Sequence, residues 1–335
     1  MLGVLRPRYR SAFFICGLLI FWFAASVTDA QQPAAQLKQV SYENAFKRGN
    51  SMPRWQENYL VSWRSDTSPS DTSDNIVLYD RAGKAAGRAR VWLDGASLVR
   101  IEDVALRSDG NVAAVGWAMS ASGDIAAFVA DLSTKTGSGR VVRTSPFEGQ
   151  AVGFAPDGTI WVLGLQVGLG QKISSAPDHF MVQHYGSDDT LQGEHLLRSM
   201  FQCELAFPVN GIPRIVATSD RVGLFAPSCR RWIEINPSSG ELIGSWAWPA
   251  GTTSSNGVET AGIRSIVLTE TNQLYGWRNS KGESLLRFDR SSGQWVAVQL
   301  DPTQMAEAPF WSLFGADGDM LVYHTRGKKL AWFKP

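Results

Sequence analysis

The chain has 335 residues with 32 basic and 31 acidic side chains, so its formal net charge is only +1. This balance argues against a nucleic-acid partner, because binding to phosphates needs a basic face. The hydrophobic share of 44% allows a sizeable core, and a closed ring of repeats would use the whole length as one domain.

The first 30 residues have the plan of a secretory signal peptide. Arginines at the start precede an apolar run over residues 12–25, and Ala30 supplies a small residue for cleavage. The run is short for a membrane span of about 20 residues. We therefore expect residues 1–30 to be removed, which leaves residues 31–335 exported to the periplasm or secreted, without stable membrane insertion. A retained N-terminal anchor is the alternative.

Beyond this segment, tight turns recur about every 50 residues between short apolar runs. The turns are Ser108-Asp109-Gly110, Pro156-Asp157-Gly158, Ser219-Asp220, Thr271-Asn272 and Ala316-Asp317-Gly318. Most strands that follow the turns end in a small residue before a large one, as at Ser62-Trp63, Gly116-Trp117 and Gly276-Trp277. Strand-rich repeats of this length are typical of β-propeller blades.

The repeats predict an all-β chain folded as a six-bladed β-propeller. The predicted blades cover residues 43–95, 96–146, 147–198, 199–251, 252–301 and 302–335. The last unit has only three strands, so we expect residues 37–42 to add its fourth strand and close the ring. Such closure removes an exposed sheet edge. A seven-bladed ring is the alternative.

A family resemblance supports this interpretation. The segment AVGFAPDGTIW at residues 151–161 resembles the repeats of NHL-type and related six-bladed propellers. The resemblance extends over most of the predicted mature chain at the level of the blade. It implies the fold and assigns no activity.

The candidate site is the ring of inner-strand starts, because the inner strand of each blade lines the central channel. The aligned positions are Glu102, Asp103, Gln150, Arg214, Arg264, Phe310 and Trp311. This ring is acidic on one side, basic on another and aromatic at the closing blade, so we expect it to bind a polar ligand that carries both charges. Alternatively, Glu102 or Asp103 pairs with an arginine across the channel and holds blades together.

Lactonase-like relatives of this fold hold a divalent ion in the channel, and the resemblance therefore implies a second hypothesis. Glu102, Asp103 and Gln150 could supply the oxygen ligands that a hard cation requires. Arg214 and Arg264 occupy matching positions and would repel a cation. We therefore expect no metal and no cofactor.

Other catalytic patterns are absent from the sequence. The four histidines, which are His179, His184, His195 and His324, show no metal-ligand spacing, and we expect isolated surface or packing histidines. No GxSxG elbow supports a hydrolase serine, so no catalytic residue is predicted. Residues 64–75 and 166–178 are rich in Ser, Thr, Asp or Gly, and we expect both to be mobile surface loops.

Two cysteines, Cys203 and Cys229, lie beyond the predicted signal peptide. Cys203 falls in the link that enters the fourth blade, and Cys229 falls between the second and third strands of that blade. Both connections emerge on one face of a propeller, so a disulfide is predicted in the exported chain. Two separate buried thiols are the alternative.

Together these patterns predict an exported β-propeller that acts as a non-catalytic binding or scaffold module for an extracytoplasmic protein or glycan. The alternative is a channel-centred, metal-dependent lactonase or lyase.

Overall fold

A computed structural model describes residues 40–46, 50–51, 53–166, 178–201, 212–248, 263–278, 285–299, 313–325 and 329–335. They belong to one compact unit, Leu37–Pro335. Besides strands, the described chain contains short 3-10 helices at Glu43–Phe46, Arg198–Phe201 and Pro227–Cys229. In the described ranges no helix is long and apolar enough to cross a membrane.

The strands are numbered in chain order. The first six are β1 (Val40–Ser41), β2 (Arg54–Gln56), β3 (Tyr59–Trp63), β4 (Asp66–Thr67), β5 (Ile76–Tyr79) and β6 (Ala85–Ala89). The next eight are β7 (Ala96–Leu106), β8 (Asn111–Ser120), β9 (Ile125–Ser133), β10 (Gly139–Arg143), β11 (Phe147–Phe154), β12 (Ile160–Gln166), β13 (Phe180–Tyr185) and β14 (Leu191–Leu197). The rest are β15 (Arg214–Ala217), β16 (Val222–Ala226), β17 (Arg231–Ile235), β18 (Leu242–Ala247), β19 (Ile263–Leu268), β20 (Leu274–Arg278), β21 (Leu285–Asp289), β22 (Gln294–Ala297), β23 (Leu313–Asp317), β24 (Met320–Thr325) and β25 (Lys329–Phe333).

These strands form six antiparallel sheets, which are the blades of a six-bladed β-propeller. Inner strands β2, β7, β11, β15, β19 and β23 line the channel. The last blade is completed by β1, which pairs with β25 so that Val40 lies opposite Leu330 and Ser41 opposite Lys329. The predicted fold, blade count and closure by an N-terminal strand are therefore confirmed.

The continuously apolar strands are buried on both faces. In β8, Val112 and Ala114 pack into the core shared with the first blade, whereas Ala113 and Val115 pack into the core shared with the third blade. Successive side chains of a strand point to opposite faces, so a blade between two neighbours needs apolar residues at every position. This packing explains why β8 shows no alternation of apolar and polar residues.

The inner strand of the first blade is short. It covers Arg54–Gln56, and Asn50 forms an isolated bridge to Arg64. The following hairpin turns at Glu57 and Asn58, whose φ angles are 48° and 67°. Two positive φ angles define the tight hairpin that usually selects Asn-Gly or Asp-Gly, so a glutamate there hides the turn in the sequence.

Residues 64–75 are anchored by buried residues, whereas Pro69, Ser70, Thr72 and Ser73 are exposed, so the segment lies at the surface as predicted and its mobility stays a prediction. Its β4 pairs with β7 as a fifth strand of the second sheet. Thr67 and Asn75 are buried, and the Asn75 amide donates to the carbonyl of Val91 at 2.9 Å while its Oδ1 accepts the Val91 N–H at 2.9 Å. The other predicted loop falls mostly on residues 167–177, which lie outside the described residues.

Candidate functional site in the central channel

Four inner strands carry a β-bulge near the start of the channel. The register shifts at Glu102 in β7, Gln150 in β11, Arg264 in β19 and Phe314 in β23. A bulge re-aims the side chains around it and is frequent next to functional sites. The first three positions are those aligned in the sequence, which shows that the blades share one register at this level.

The aromatic part of the predicted ring remains untested. Phe310 and Trp311 lie outside the described residues, and the bulge of the sixth blade falls at Phe314. The strand position of Arg264 is described but its side chain is not. Their predicted contribution to a ligand site therefore stays a prediction.

The centre of the channel is an ion-pair network around Asp103, whose side chain is 1% exposed. Arg54 Nη2 donates to Asp103 Oδ2 at 2.7 Å, and Arg214 Nη1 donates to Oδ1 at 3.2 Å. The backbone N–H of Val152 also donates to Oδ2, at 2.9 Å. These four residues come from blades one to four, so a single carboxylate ties four blades together.

Arg54 is the residue of this network that the sequence prediction missed. Its guanidinium also donates from Nη1 to the carbonyl of Val104 at 3.1 Å, and its side chain is only 4% exposed. The available signal was the Ser62-Trp63 pair, which marks the end of the second strand and places a hairpin near Glu57. Counting back from that hairpin puts Arg54 on the channel.

Glu102 and Gln150 do not join the central network. The carboxylate of Glu102 pairs with Arg100 Nε at 2.8 Å, and both side chains are partly exposed. Gln150 is half-buried at its bulge. Among the described residues, no three His, Cys, Asp or Glu side chains are grouped so that they could hold a metal ion.

The central network carries an uncompensated positive charge. Burial raises the pKa of Asp103, and the two guanidinium groups with the Val152 N–H oppose that shift by stabilising the carboxylate. Burial, and then the positive charge of Arg54, lower the pKa of Arg214 to about 9. Arg214 is therefore still charged at neutral pH, and two buried cations share one anion.

A cavity of about 360 Å³ extends from this network between the inner strands. Arg54 and Arg214 begin their strands and lie at one end, while Glu57, Glu270 and Asp317 lie at the turns that end the inner strands. All other described lining residues are uncharged. The cavity therefore has a basic end inside the ring and an acidic end at its mouth.

The acidic mouth is only partly compensated. Asp317 pairs with Arg81 at 2.5 Å. Partial desolvation, and then the negative charge of Glu270, raise the pKa of Glu57, although the Glu57 side chain itself is exposed. Because the Glu57 side chain reaches water, solvent screens much of its electrostatic effect.

Two of the histidines are packing residues, as one form of the prediction had it, but they share one aromatic cluster and are not isolated. The ring of His184 stacks on Trp161 with centroids 4.1 Å apart, and His195 stacks on the same indole at 5.4 Å. A Cβ atom at Gly240 would collide with the His195 ring, which places the cluster between the third and fourth blades. Burial lowers the pKa of both histidines, and the charge of His195 lowers that of His184 further.

Cys229 ends a 3-10 helix and packs, half-buried, against the core shared by the third and fourth blades. Its predicted partner Cys203 lies outside the described residues. The Cys203–Cys229 pairing therefore stays a prediction.

Comparisons with known proteins support the fold. No family model matches the chain, and no curated protein matches it. A predicted exported protein from Bacteroides fragilis is similar with a TM-score of 0.52 and 13% identity, covering 87% of this chain and 85% of that one. The WD40 domain of Neurospora crassa Pan2 gives a TM-score of 0.47 at 8% identity, covering 85% and 74%. At 13% identity, the likeness to the B. fragilis protein shows the fold alone.

Proposed function

We propose that the chain is an exported β-propeller that acts as a non-catalytic binding or scaffold module for an extracytoplasmic protein or glycan. Export is supported by the signal-peptide pattern of residues 1–30. The B. fragilis neighbour is itself described as an exported protein, which agrees with that proposal.

The non-catalytic proposal rests on the hydrogen bonds that occupy the carboxylate of Asp103. Both of its carboxylate oxygens accept hydrogen bonds from groups that hold neighbouring blades. A general base or a metal ligand must present an oxygen to substrate or ion, and a hard cation requires several such oxygens. Asp103 instead stiffens the ring, which supports a rigid frame whose surface loops bind a partner.

The rival hypothesis is a metal-dependent lactonase or lyase in the channel. Two buried guanidinium groups beside Asp103 would repel a divalent cation there. Glu102 is engaged by Arg100, so its carboxylate would have to leave an ion pair before it could bind a metal.

Reciprocal capture tests the proposal. The tagged protein is expressed with its own N-terminus, cross-linked in intact cells and purified from the extracytoplasmic fraction, and the partner is then used to recover the propeller. We expect a specific partner that binds the purified protein, or a glycan that binds it on an array. A protein that remains in the cytoplasm would contradict the export proposal.

A parallel assay measures hydrolysis of lactones with and without Ca²⁺ or Mn²⁺. We expect no metal-dependent turnover. Turnover that is lost in Glu102→Gln but retained in Glu241→Gln, a change at an exposed turn, would establish the enzyme hypothesis instead.

A further inference from the structure

We infer that the central channel binds a small zwitterionic ligand, with its carboxylate at Arg54 and Arg214 and its ammonium group near Glu57 and Glu270. This small-molecule site lies inside the ring. It does not depend on the proposed binding of a protein or glycan partner by the surface of the propeller.

The basic end offers hydrogen-bond donors that the protein does not use. Arg54 Nε is buried and has no hydrogen-bond partner among the described residues. Every hydrogen bond of Arg214 within the described chain uses Nη1, to Asp103 and to the Pro213 carbonyl. A guanidinium has five N–H donors and binds carboxylates in a planar, bidentate manner. A ligand carboxylate would use the remaining donors.

The positive charge of the basic end favours an anionic ligand over a neutral one. Two cations with side chains 4% and 12% exposed share the single carboxylate of Asp103. Electrostatic interactions are stronger in such a poorly solvated place than at the surface. A ligand carboxylate would complete two ion pairs and relieve the repulsion between Arg54 and Arg214.

The acidic end favours a ligand that is cationic at its other terminus. Neither Glu57 nor Glu270 forms an ion pair with a described residue, whereas Asp317 is already paired with Arg81. A simple anion that enters at this end must pass both carboxylates, and a simple cation is repelled by the arginines. A ligand that places an ammonium group at the mouth and a carboxylate at the arginines avoids both repulsions.

The length of the channel sets the separation of the two charges. The strand Arg54–Gln56 rises about 3.3 Å per residue, and Glu57 is the first residue of the turn that follows, so the Cα atoms of Arg54 and Glu57 are at most about 10 Å apart. An extended tripeptide has a similar length, at about 3.3–3.6 Å per residue. The cavity volume of about 360 Å³ falls within the range of about 300–1,000 Å³ found for small-molecule sites. A tripeptide with free termini therefore matches the channel in length and charge.

Calorimetric titration of the purified protein with triglycine at neutral pH tests this inference. Triglycine amide lacks the carboxylate, and N-acetyltriglycine lacks the ammonium group. We expect triglycine amide to bind at least about tenfold more weakly than triglycine, because the missing carboxylate would lie at the buried, basic end. We expect the acetylated peptide to bind about threefold more weakly, because Glu57 and Glu270 are exposed.

Variants separate the site from general effects on folding. Arg214→Gln retains the Arg54–Asp103 pair, and we expect it to weaken triglycine binding by at least about tenfold. Glu57→Gln should remove most of the preference for triglycine over its acetylated form. Arg221→Gln is the matched control, because Arg221 pairs with a different buried carboxylate, Glu234, and does not line the cavity. Thermal unfolding establishes that each variant is folded.

Several results would overturn the inference. They are absence of triglycine binding up to about 10 mM, equal binding of triglycine amide, equal binding of acetate or inorganic phosphate, and an equal loss in Arg221→Gln and Arg214→Gln. None of these outcomes depends on whether a protein or glycan partner is found.

Discussion

Two buried carboxylates of this propeller are each held by two arginines, yet their surroundings differ. Asp103 lies on the channel and is bound by Arg54 and Arg214. Glu234 lies between the fourth and fifth blades, where it accepts hydrogen bonds from Arg221 Nη1 at 2.8 Å and Arg290 Nε at 3.1 Å. Both carboxylates are at most 1% exposed.

The difference lies in charge and solvent. Near Glu234, Arg221 also pairs with Asp220 at 2.6 Å, so two cations meet two anions, and both arginine side chains are 24% exposed. Arg290 Nη2 is also buried without a described partner, so an unused donor is common to both networks. Only the channel network combines such a donor with a buried, uncompensated cation. The Glu234 network is therefore close to neutral and partly solvated, whereas the channel network keeps a buried positive charge.

The largest expected effect is that of Asp103→Asn. This change leaves two guanidinium groups buried without an anion, and breaking a buried ion pair in this way costs about 3–5 kcal/mol of unfolding free energy. Urea unfolding followed by tryptophan fluorescence measures the loss. Glu102→Gln is the matched control, and we expect it to cost no more than about 1 kcal/mol because its pair with Arg100 is partly exposed.

Glu234→Gln should have a smaller effect. Water reaches Arg221 and Arg290, and Asp220 continues to neutralise Arg221, so we expect a loss of about 1–3 kcal/mol. The same urea titration measures it. A loss larger than that of Asp103→Asn would show that burial of the arginines does not separate the two networks.

The contribution of Arg214 to the unfolding free energy should depend on pH. Its pKa of about 9 lies below the ordinary value of 12.5, so above about pH 9 the folded protein binds fewer protons at this site than the unfolded chain. Stability contributed by this group therefore rises with pH through that window. The unfolding free energy of the wild type minus that of Arg214→Gln should increase between pH 8 and pH 10. A flat difference would show that Arg214 stays protonated through this pH range.

The smallest expected effect is a loss of stability at acid pH that involves His184 and His195, between the third and fourth blades. His184 occupies the strand position that corresponds to Glu234, since both precede the same register shift in the third strand of their blades. Burial lowers the pKa of His184 and His195, so the unfolded chain binds protons first as the pH falls. Stability should therefore decrease modestly below the ordinary histidine pKa of 6.5.

Unfolding curves between pH 5 and pH 7.5 measure this acid effect. The charged groups that act on the two histidines are His195 and Asp157 on His184, and Glu194 on His195. We expect His195→Gln to reduce the loss at low pH. An unchanged pH profile would mean that another group causes it.

The sequence was sufficient for the blade plan because turns and apolar runs are local signals. The hairpin glycines located β7 and placed Asp103 on the channel. Arg54 was missed because its hairpin turns at Glu57 and Asn58, without glycine. The anchoring of residues 64–75 was missed because Asn75 bonds to Val91, 16 residues away, and β4 pairs with β7 of the next sheet. Composition indicated a solvated loop and carries no signal for these specific contacts.

The most direct test of the uncompensated charge is the unfolding free energy of the double variant Asp103→Asn, Arg214→Gln. Removing Arg214 takes away one of two buried cations that have lost their anion. The double variant should therefore be more stable than Asp103→Asn alone, by at least about 1 kcal/mol. In the outer network, adding Arg221→Gln to Glu234→Gln should bring no such recovery. A double channel variant that is less stable than Asp103→Asn would contradict an excess of buried positive charge in the channel.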